Sequence, residues 1–222
     1  MPKVSEDYYE KKKQEIIDAA YRVCARKPIT SVEMKDVIAE TGFSHGVVYR
    51  YYKDLDDVLR DLVVRINREN AMGGKLHAIV DGKAAAEWKT VIREICDMLA
   101  DYLKEVGTDI LKISQYCDML AMSDPGRVKA IAGKIRKEES SPLLELVPVL
   151  GAYLTDVIQK NGLEPKHSLD EIIQFIIASY HGIQTGYVLA NCYDAEQLEG
   201  KYDPKAMFSC LADSVILMLS ST

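Results

Sequence analysis

Apolar residues recur at helical spacing along almost the whole chain, and this pattern restricts the fold more than any other feature. Near the N-terminus, the apolar positions Ile16, Ile17, Ala20, Val23 and Cys24 share one face of a 3.6-residue helix. No sustained period-two alternation occurs, and no Asn-Gly or Asp-Gly pair lies between β-branched runs, so nothing predicts a hairpin. We therefore expect an all-α fold.

Helix start signals divide this pattern into ten predicted helices. Capping boxes stand at Thr30–Glu33 and Ser168–Glu171, and an N-cap residue precedes proline at Asp124, Ser141 and Asp203. The Gly-Gly pair at 73–74 and the Asp-Gly pair at 81–82 predict loose chain. The predicted helices are 6–26, 32–40, 44–51, 54–70, 84–106, 108–122, 125–139, 142–161, 168–191 and 204–220.

Composition predicts a globular protein with a charge difference between its two parts. The 222 residues are 48% hydrophobic and 28% charged, and they carry a net charge of −6. Residues 1–53 hold 10 Lys and Arg against 8 Asp and Glu, a net of +2, whereas residues 54–222 hold 18 against 26, a net of −8. This distribution suits a chain whose N-terminal part alone meets phosphate.

The same sequence argues against several other classes of protein. The polar N-terminus and the lack of an apolar run of about 18 residues predict a cytoplasmic chain without membrane association. The five cysteines form no CxxC or zinc-type spacing, so we expect reduced, buried thiols, no metal site and no cofactor. No GxGxxG, P-loop or HExxH motif and no local catalytic set occurs, which argues against an enzyme.

The segment 35–53 has the spacing of a helix-turn-helix. Gly42 stands where a helix ends in a left-handed residue, Phe43 fills the corner, and Ser44 is positioned to cap the next helix. Val48 and Tyr52, four residues apart, are expected to face inward. The remaining side chains of the second helix then point outward, as DNA recognition requires.

The outward residues have chemistry that suits duplex DNA. Arg50 is a candidate for guanine or phosphate, Tyr49 and Tyr51 carry phenolic donors for phosphate, and Val47 suits a thymine methyl. Gly46 permits close approach of the backbone. The alternative is an ordinary helical hairpin with exposed tyrosines. The predicted DNA-binding residues are Thr30, Lys35, Ser44, His45, Gly46, Val47, Tyr49, Arg50, Tyr51 and Lys53.

Residues 7–63 resemble the DNA-binding head of the tetracycline-repressor (TetR) family. Val37-Ile-Ala-Glu-Thr-Gly42 stands where the family has Ile-Ala-x-x-Ala-Gly, and Phe43-Ser-His-Gly-Val-Val-Tyr-Arg-Tyr-Tyr-Lys53 stands where it has Val-Ser-Lys-Gly-Thr-Leu-Tyr-x-Tyr-Phe-Lys. The resemblance implies a homodimeric repressor that leaves a pseudo-palindromic operator when a small molecule binds its C-terminal domain. The alternatives are a transcriptional activator of the same fold and a helical ligand-binding or interaction module that does not bind DNA.

Three positions depart from the family pattern. His45 replaces a frequent Lys, Val47 replaces a frequent Thr, and Leu55 replaces the usual Lys at the start of the fourth helix. Base preference therefore does not carry over, and one phosphate contact is lost. The predicted domains are a DNA-binding head, residues 1–53, and a ligand-binding and dimerisation body, residues 54–222, whose first helix, 54–70, links it to the head.

Small residues on the helix 168–191 predict a close helix contact. Ala178, Gly182 and Gly186 recur every four residues, and glycine inside a helix costs about 1 kcal/mol each, so a packing reason is expected. Packing within the subunit is one explanation. The other, favoured by the resemblance, is a two-fold dimer face. The residues predicted for that interface are Ala178, Gly182, Gly186, Phe208, Leu211 and Val215, with Leu219 beside them.

Aromatic, Met and Cys residues recur on the central helices at helical spacing. Most such residues form core, but several around a cavity suit a small apolar or aromatic ligand. His181 and Gln184 add polar groups on an otherwise apolar helix. The residues predicted to bind a ligand are Trp88, Met98, Tyr102, Tyr116, Met119, Tyr153, His181 and Gln184, with Cys96 and Met122 nearby in the pattern.

Overall fold

The computed structural model describes residues 6–81, 83, 87–136, 142–192 and 202–220. These residues form eleven α-helices and one short 3-10 helix, Ile29–Ser31, and they contain no strand, which confirms the predicted all-α class. The helices are α1 (Glu6–Arg26), α2 (Met34–Thr41), α3 (His45–Tyr51), α4 (Leu55–Glu69), α5 (Gly73–Val80), α6 (Trp88–Val106), α7 (Thr108–Ser123), α8 (Pro125–Ala132), α9 (Pro142–Asn161), α10 (Leu169–Cys192) and α11 (Pro204–Leu219).

The chain packs as two units. The N-terminal unit comprises the described parts of Met1–Glu69 and Lys112–Ser140, and the C-terminal unit comprises those of Asn70–Leu111 and Ser141–Thr222. The predicted boundary after residue 53 separates a DNA-binding part from a ligand-binding and dimerisation part. That division by function stays a prediction. By packing, α4, α8 and most of α7 belong with the N-terminal helices.

In the N-terminal unit, α1 packs against α2 and α4 around one apolar core. Ile16, Val37, Val48 and Leu62 are fully buried there. At the start of α4, Asp56 accepts hydrogen bonds from two guanidinium nitrogens of Arg127 in α8, at 2.8 and 2.6 Å. This pair helps to hold α8 on α4.

In the C-terminal unit, α11 lies along α6, and α5, α9 and α10 complete the packing. Leu103, Leu154, Ile172, Phe208 and Leu219 are at most 1% exposed. Gln184 is the only buried polar side chain among the described residues, and no charged side chain there is buried. The interior of this unit is therefore held mainly by apolar packing.

The helix start signals were mostly confirmed. The backbone N–H of Glu171 donates to Ser168 Oγ, at 3.3 Å, and Glu171 accepts the N–H of Ser168, at 2.8 Å. Asp124 and Asp203 each accept a backbone N–H as N-caps before proline. Ser141 lies outside the described residues.

Two predictions about local structure were wrong. Thr30 lies in the 3-10 helix, and the capping box at α2 is formed by Glu33 and Asp36, whose carboxylate accepts the N–H of Glu33 at 2.8 Å. The Gly-Gly pair at 73–74 begins α5 and does not interrupt the helices. Burial of Leu76 explains this, because tertiary packing outweighs the low helix propensity of glycine.

Other expectations concerned membranes, metals and thiols. None of the described helices is long and apolar enough to cross a membrane. Within the described ranges, no three His, Cys, Asp or Glu residues are grouped so that they could hold a metal ion. All five cysteines are free, but only Cys24 and Cys96 are buried; Cys192 is exposed at the end of α10, and Cys210 is exposed on the outer face of α11.

Candidate functional site

A tight turn joins α2 to α3. Gly42 ends α2 with φ +69°, and no atom lies within 4 Å of the position that a Cβ would occupy. Glycine is needed here for its backbone conformation, because a Cβ would be strained at this φ. Thr41 Oγ1 then accepts the N–H of Phe43, at 3.0 Å, and Ser44 occupies the N-cap position of α3. The predicted helix-turn-helix is therefore formed.

The inward side of this motif ends in a charged cluster. The Tyr52 hydroxyl donates to Asp61, at 3.1 Å, and Asp61 also pairs with Lys13, at 3.2 Å, and Arg60, at 2.7 Å. Burial works against ionisation of Asp61, but its hydrogen bonds and ion pairs with Arg60 and Lys13 outweigh burial and lower its pKa. Burial and the neighbouring Asp61 raise the pKa of Tyr52. Tyr52 thus connects the end of α3 to α1 and α4.

Ion pairs hold α2 on α1. Glu40 accepts hydrogen bonds from Arg22, at 2.6 Å, and Arg26, at 2.5 Å, and these two arginines lower its pKa. Asp36 accepts from Lys27, at 2.7 Å. Sequence reasoning missed these contacts, although two arginines four residues apart on α1 are a recognisable basic row. They fix the angle at which the turn presents α3.

The outward side of α3 presents polar groups to solvent. Ser44, His45, Gly46, Tyr49 and Arg50 are exposed, Tyr49 by 51%. The Ser44 side chain makes no capping hydrogen bond, so its hydroxyl remains available for another partner. No described residue forms an ion pair with Arg50 or with the exposed Lys53. Val47 is half-buried on the same side.

Two of the other predicted DNA-binding residues already have partners within the chain. The Tyr51 ring is half-buried and lies 4.8 Å from the ring of Tyr9 in α1, a partner that the sequence pattern did not reveal. Lys35 is exposed and pairs with Glu33, at 2.8 Å. Thr30 is exposed in the 3-10 helix. The structure thus brings Ser44 to Arg50 together on α3, whereas Thr30 and Lys35 lie before and at the start of α2.

A small cavity lies inside the C-terminal unit, between α5, α6, α9, α10 and α11. Its volume is about 40 Å³. Of the fifteen described side chains that line it, thirteen are Leu, Ile or Val, and the other two are Cys96 and Tyr180. The cavity is therefore apolar on every described side.

Comparison with known proteins identifies the head. Residues 16–62 match the family model of the bacterial regulatory proteins of the tetR family. The HTH-type transcriptional regulator YfiR of Bacillus subtilis (strain 168) is 27% identical over 187 residues, which cover 82% of each chain. The N-terminal part of this chain therefore matches the TetR family.

Solved structures of transcriptional regulators share the fold of this chain. A TetR transcription regulator from Haloarcula marismortui superposes with a TM-score of 0.66 at 14% identity, over 95% of this chain and 100% of that one. The regulator FadR from Bacillus subtilis, solved in complex with stearoyl-CoA, gives a TM-score of 0.60 at 18% identity, over 91% and 97%. These relatives are transcriptional regulators and not enzymes.

The residues predicted to bind a ligand do not come together in the structure. Trp88, Tyr102 and Gln184 are buried in the C-terminal unit, and Met98 and Tyr153 are half-buried there. His181 is exposed on α10, and Tyr116 and Met119 belong to the N-terminal unit, where Met119 is 48% exposed. None of these eight residues lines the cavity. Tyr180 and the aliphatic lining escaped prediction because such residues resemble ordinary core.

The residues predicted for the dimer interface also separate. Ala178 and Gly182 are exposed on α10, and no atom lies within 4 Å of a Cβ built on Gly182. Gly186 is covered by the ring of Tyr202, whose atoms lie 2.6 Å from such a Cβ, so this glycine serves packing within the subunit.

The three predicted interface residues of α11 require correction. Phe208, Leu211 and Val215 are at most 4% exposed and lie in the core of their own subunit, so no second copy can contact them. The periodicity of α11 was recognised, but its apolar face was assigned to the wrong partner. The side chains that α11 leaves exposed are instead Met207, by 40%, and Leu217, by 74%, together with Cys210.

Proposed function

We propose that this TetR-family chain is a homodimeric transcriptional repressor that binds a pseudo-palindromic DNA site through α3. The observation that carries the proposal is the outward face of α3, where Tyr49 and Arg50 are exposed on a helix whose other face is locked into the core by Val48 and Tyr52. A recognition helix has this division, because its inner face must fix the geometry with which its outer face meets the bases.

The charges around α3 support contact with DNA. Arg50 and Lys53 have no acidic partner among the described residues, so their charge is available to phosphates or to guanine. The acidic residues Glu40, Asp36 and Asp61 are paired with cations of the same unit. A chain with a net charge of −6 can therefore still present a surface that attracts phosphate.

The exposed faces of α10 and α11 support a homodimer. On α10, Phe175, Ala178, Gly182, Thr185 and Leu189 are exposed at alternating steps of three and four residues. This spacing forms one continuous stripe along a helix, and the open position at Gly182 permits close approach.

A matching stripe lies on the packed neighbour of α10, helix α11. Met207, Cys210, Ser214 and Leu217 follow each other at the same steps, and all but Ser214 are exposed. A contiguous exposed apolar patch is typical of an association surface. Two copies of this helix pair would form a four-helix interface about a two-fold axis.

Release by a small molecule is the third part of the proposal. The cavity of the C-terminal unit offers an apolar site, and the FadR relative solved with stearoyl-CoA indicates that the fold accommodates small-molecule ligands. A ligand that favours a different packing of this unit would weaken DNA binding by its coupling energy, about 1–3 kcal/mol or 5- to 150-fold.

Selection from a randomised duplex library tests DNA binding directly. Wild-type protein should enrich an inverted repeat with half-sites centred about 34–36 Å apart, and the logarithm of its affinity should fall linearly with that of the salt concentration. On the enriched duplex, Arg50→Ala should weaken binding by about 1–3 kcal/mol, or roughly 5- to 150-fold. Arg68→Ala, which removes an exposed arginine in the last turn of α4, is the matched control and should change the affinity little.

Two results would contradict the DNA-binding proposal. The first is the absence of any enriched inverted repeat from folded, wild-type protein. The second is equal loss of affinity in Arg50→Ala and Arg68→Ala, because a general charge effect would then explain both variants and α3 would have no special role. A reporter gene placed behind the enriched site should be expressed less when the wild-type protein is present; greater expression would refute the repressor role.

A further inference from the structure

The chain is acidic directly after α3. Residues 54–61 contain four aspartates against one cation, Arg60. Lys53, an exposed cation without an acidic partner among the described residues, precedes Asp56 by three residues, so their Cα atoms are at most about 11 Å apart. That separation is close to the Debye length of about 10 Å at 0.1 M salt, so a carboxylate at Asp56 acts on a phosphate bound beside Lys53. Without a counter-charge, the start of α4 would repel the DNA backbone.

The helices around the start of α4 balance only two of these aspartates. Asp54 accepts the backbone N–H of Asp57, at 2.9 Å, and lies at the positive end of the α4 dipole. Asp61 pairs with Arg60, at 2.7 Å, and with a lysine of α1, at 3.2 Å. Asp56 and Asp57 remain, and their side chains are 34% and 20% exposed. Arg60 also lies 3.1 Å from Asp57, but its single charge is shared with Asp61.

The remaining counter-charge comes from a distant part of the chain. Residues 125–136, which form α8 and the turn after it, contain four Lys or Arg and no acidic residue; we call them the basic segment. The Arg127 guanidinium lies 2.6 Å from Asp56, and the Lys134 ammonium lies 3.0 Å from Asp57. No residue of α8 is buried, so the basic segment contributes charge to the N-terminal unit and little to its core.

We propose that Arg127 and Lys134 are determinants of DNA binding, because they neutralise Asp56 and Asp57 and so allow the DNA backbone to approach the end of α3. The two cations act on DNA through the net charge of their ion pairs and not through a direct contact. The inference rests on the proposed function in taking α3 as the helix that binds DNA. It gives the basic segment a role in DNA binding, although this segment is far from the helix-turn-helix in sequence.

The signs of two substitutions distinguish neutralisation from a purely structural role. Arg127→Gln and Asp56→Asn break the same ion pair, so both should lower the melting temperature by a similar, small amount. If the pair only held α8 on α4, both should also change the affinity for DNA in the same direction. Under neutralisation, the first substitution leaves one more negative charge beside α3 and the second leaves one fewer, so their effects on affinity have opposite signs.

Fluorescence polarisation on a duplex enriched by the wild-type chain measures these effects. At about 50 mM salt, Arg127→Gln should weaken binding by about 3- to 10-fold and Asp56→Asn should strengthen it by a similar factor, as expected for a unit charge acting over about 10 Å between protein and water. The double variant Arg127→Gln/Asp56→Asn has the net charge of the wild type and should bind within about twofold of it. At about 200 mM salt, screening should shrink all of these differences.

Two lysines of the basic segment provide the matched comparison. Lys134→Gln should weaken binding as Arg127→Gln does, because it leaves Asp57 with only a share of Arg60. Lys129 is exposed, has no ion pair with any described residue and lies about 200° around α8 from Arg127, so Lys129→Gln should change the affinity by less than about twofold. On a duplex of unrelated sequence, Arg127→Gln should weaken binding by the same factor, because repulsion of phosphates does not depend on the bases.

Each result decides for or against the inference. Affinity changes of the same sign, or no change, in Arg127→Gln and Asp56→Asn would overturn it, and so would an equal loss in Lys129→Gln and Arg127→Gln. A loss confined to the enriched duplex would assign Arg127 to the geometry of α3 and would also overturn it. In all of these cases the proposed function stands, because the wild-type chain still selects its DNA site. A folded wild-type chain that enriches no duplex overturns both.

Discussion

The two packing units of this chain differ in the contacts that hold their own helices together. In the N-terminal unit, ion pairs of Asp61 with Lys13, of Glu40 with Arg22 and of Asp56 with Arg127 join different helices. In the C-terminal unit, the ion pairs between helices, Arg93 with Asp213 and Lys75 with Glu105, lie on exposed side chains, and the interior is aliphatic, with Gln184 as the only buried polar side chain among the described residues. Directional contacts orient a surface, whereas apolar packing is tolerant of rearrangement. The first arrangement suits DNA recognition, and the second suits a ligand-dependent change.

The largest expected effect tests the apolar side of this comparison. Phe208→Ala removes a ring that is 1% exposed and packs 6.2 Å from the ring of Tyr180, so it should lower the free energy of unfolding by about 3–5 kcal/mol. Tyr49→Ala, at a half-exposed position of α3, should change it by less than about 0.5 kcal/mol while weakening DNA binding. Urea unfolding measures both. A small loss for Phe208→Ala would mean that the C-terminal unit does not depend on this core.

The next effect concerns assembly. Leu217→Glu places a charge on the exposed stripe of α11 and should raise the dimer dissociation constant at least about 30-fold, equivalent to 2 kcal/mol at an interface centre. Ser209→Glu, on another side of the same helix, adds the same charge and should leave the dimer intact. Sedimentation velocity over a concentration series distinguishes the two variants. If both remain dimeric, the interface lies elsewhere.

The smallest effect tests the charged side of the comparison. The pKa of Asp61 is lowered in the folded chain, so its ion pairs stabilise fully above the ordinary aspartate pKa of about 3.9, and this stabilisation is lost as the pH falls through the folded value. Asp61→Asn should therefore cost about 1–2 kcal/mol at pH 7, and this cost should shrink as the pH falls through the lowered pKa of Asp61. Urea unfolding at a series of pH values measures this difference.

The exposed Asp101 of α6 provides the control for that experiment. Asp101→Asn removes the same carboxylate from a site with no ion pair to any described residue, so its effect on stability should be small and independent of pH. If the difference between wild type and Asp61→Asn does not shrink on acidification, the cluster around Tyr52 does not depend on the charge of Asp61.

Most helices and the helix-turn-helix could be predicted because their evidence is local. Capping residues, proline positions and the glycine at 42 act within four residues of where they stand, so the chain carries that information along a single segment. The cluster of Tyr52, Asp61 and Lys13 could not be predicted in the same way. Its members lie on three helices, and no local pattern states which helix pairs meet.

The dimer face shows a different limit. An amphipathic pattern states that one side of α11 is buried, but it does not state whether the partner is α6 of the same chain or a second copy. Phe208, Leu211 and Val215 were therefore assigned to an interface, although they fill the subunit's own core. The sequence pattern thus identified the buried face of α11 correctly but not the helix against which that face packs.

The sequence alone determined the helical class, the turn at Gly42 and the inward positions Val48 and Tyr52, because each follows from backbone preference and spacing within one segment. Three features depend on the tertiary structure alone. The ring of Tyr51 packs on that of Tyr9, the ring of Tyr202 packs directly on Gly186, and the cavity is lined by aliphatic side chains and Tyr180. Those outcomes depend on how helices distant in sequence fill space together, and the shape of the remaining gap is a property of all of them at once.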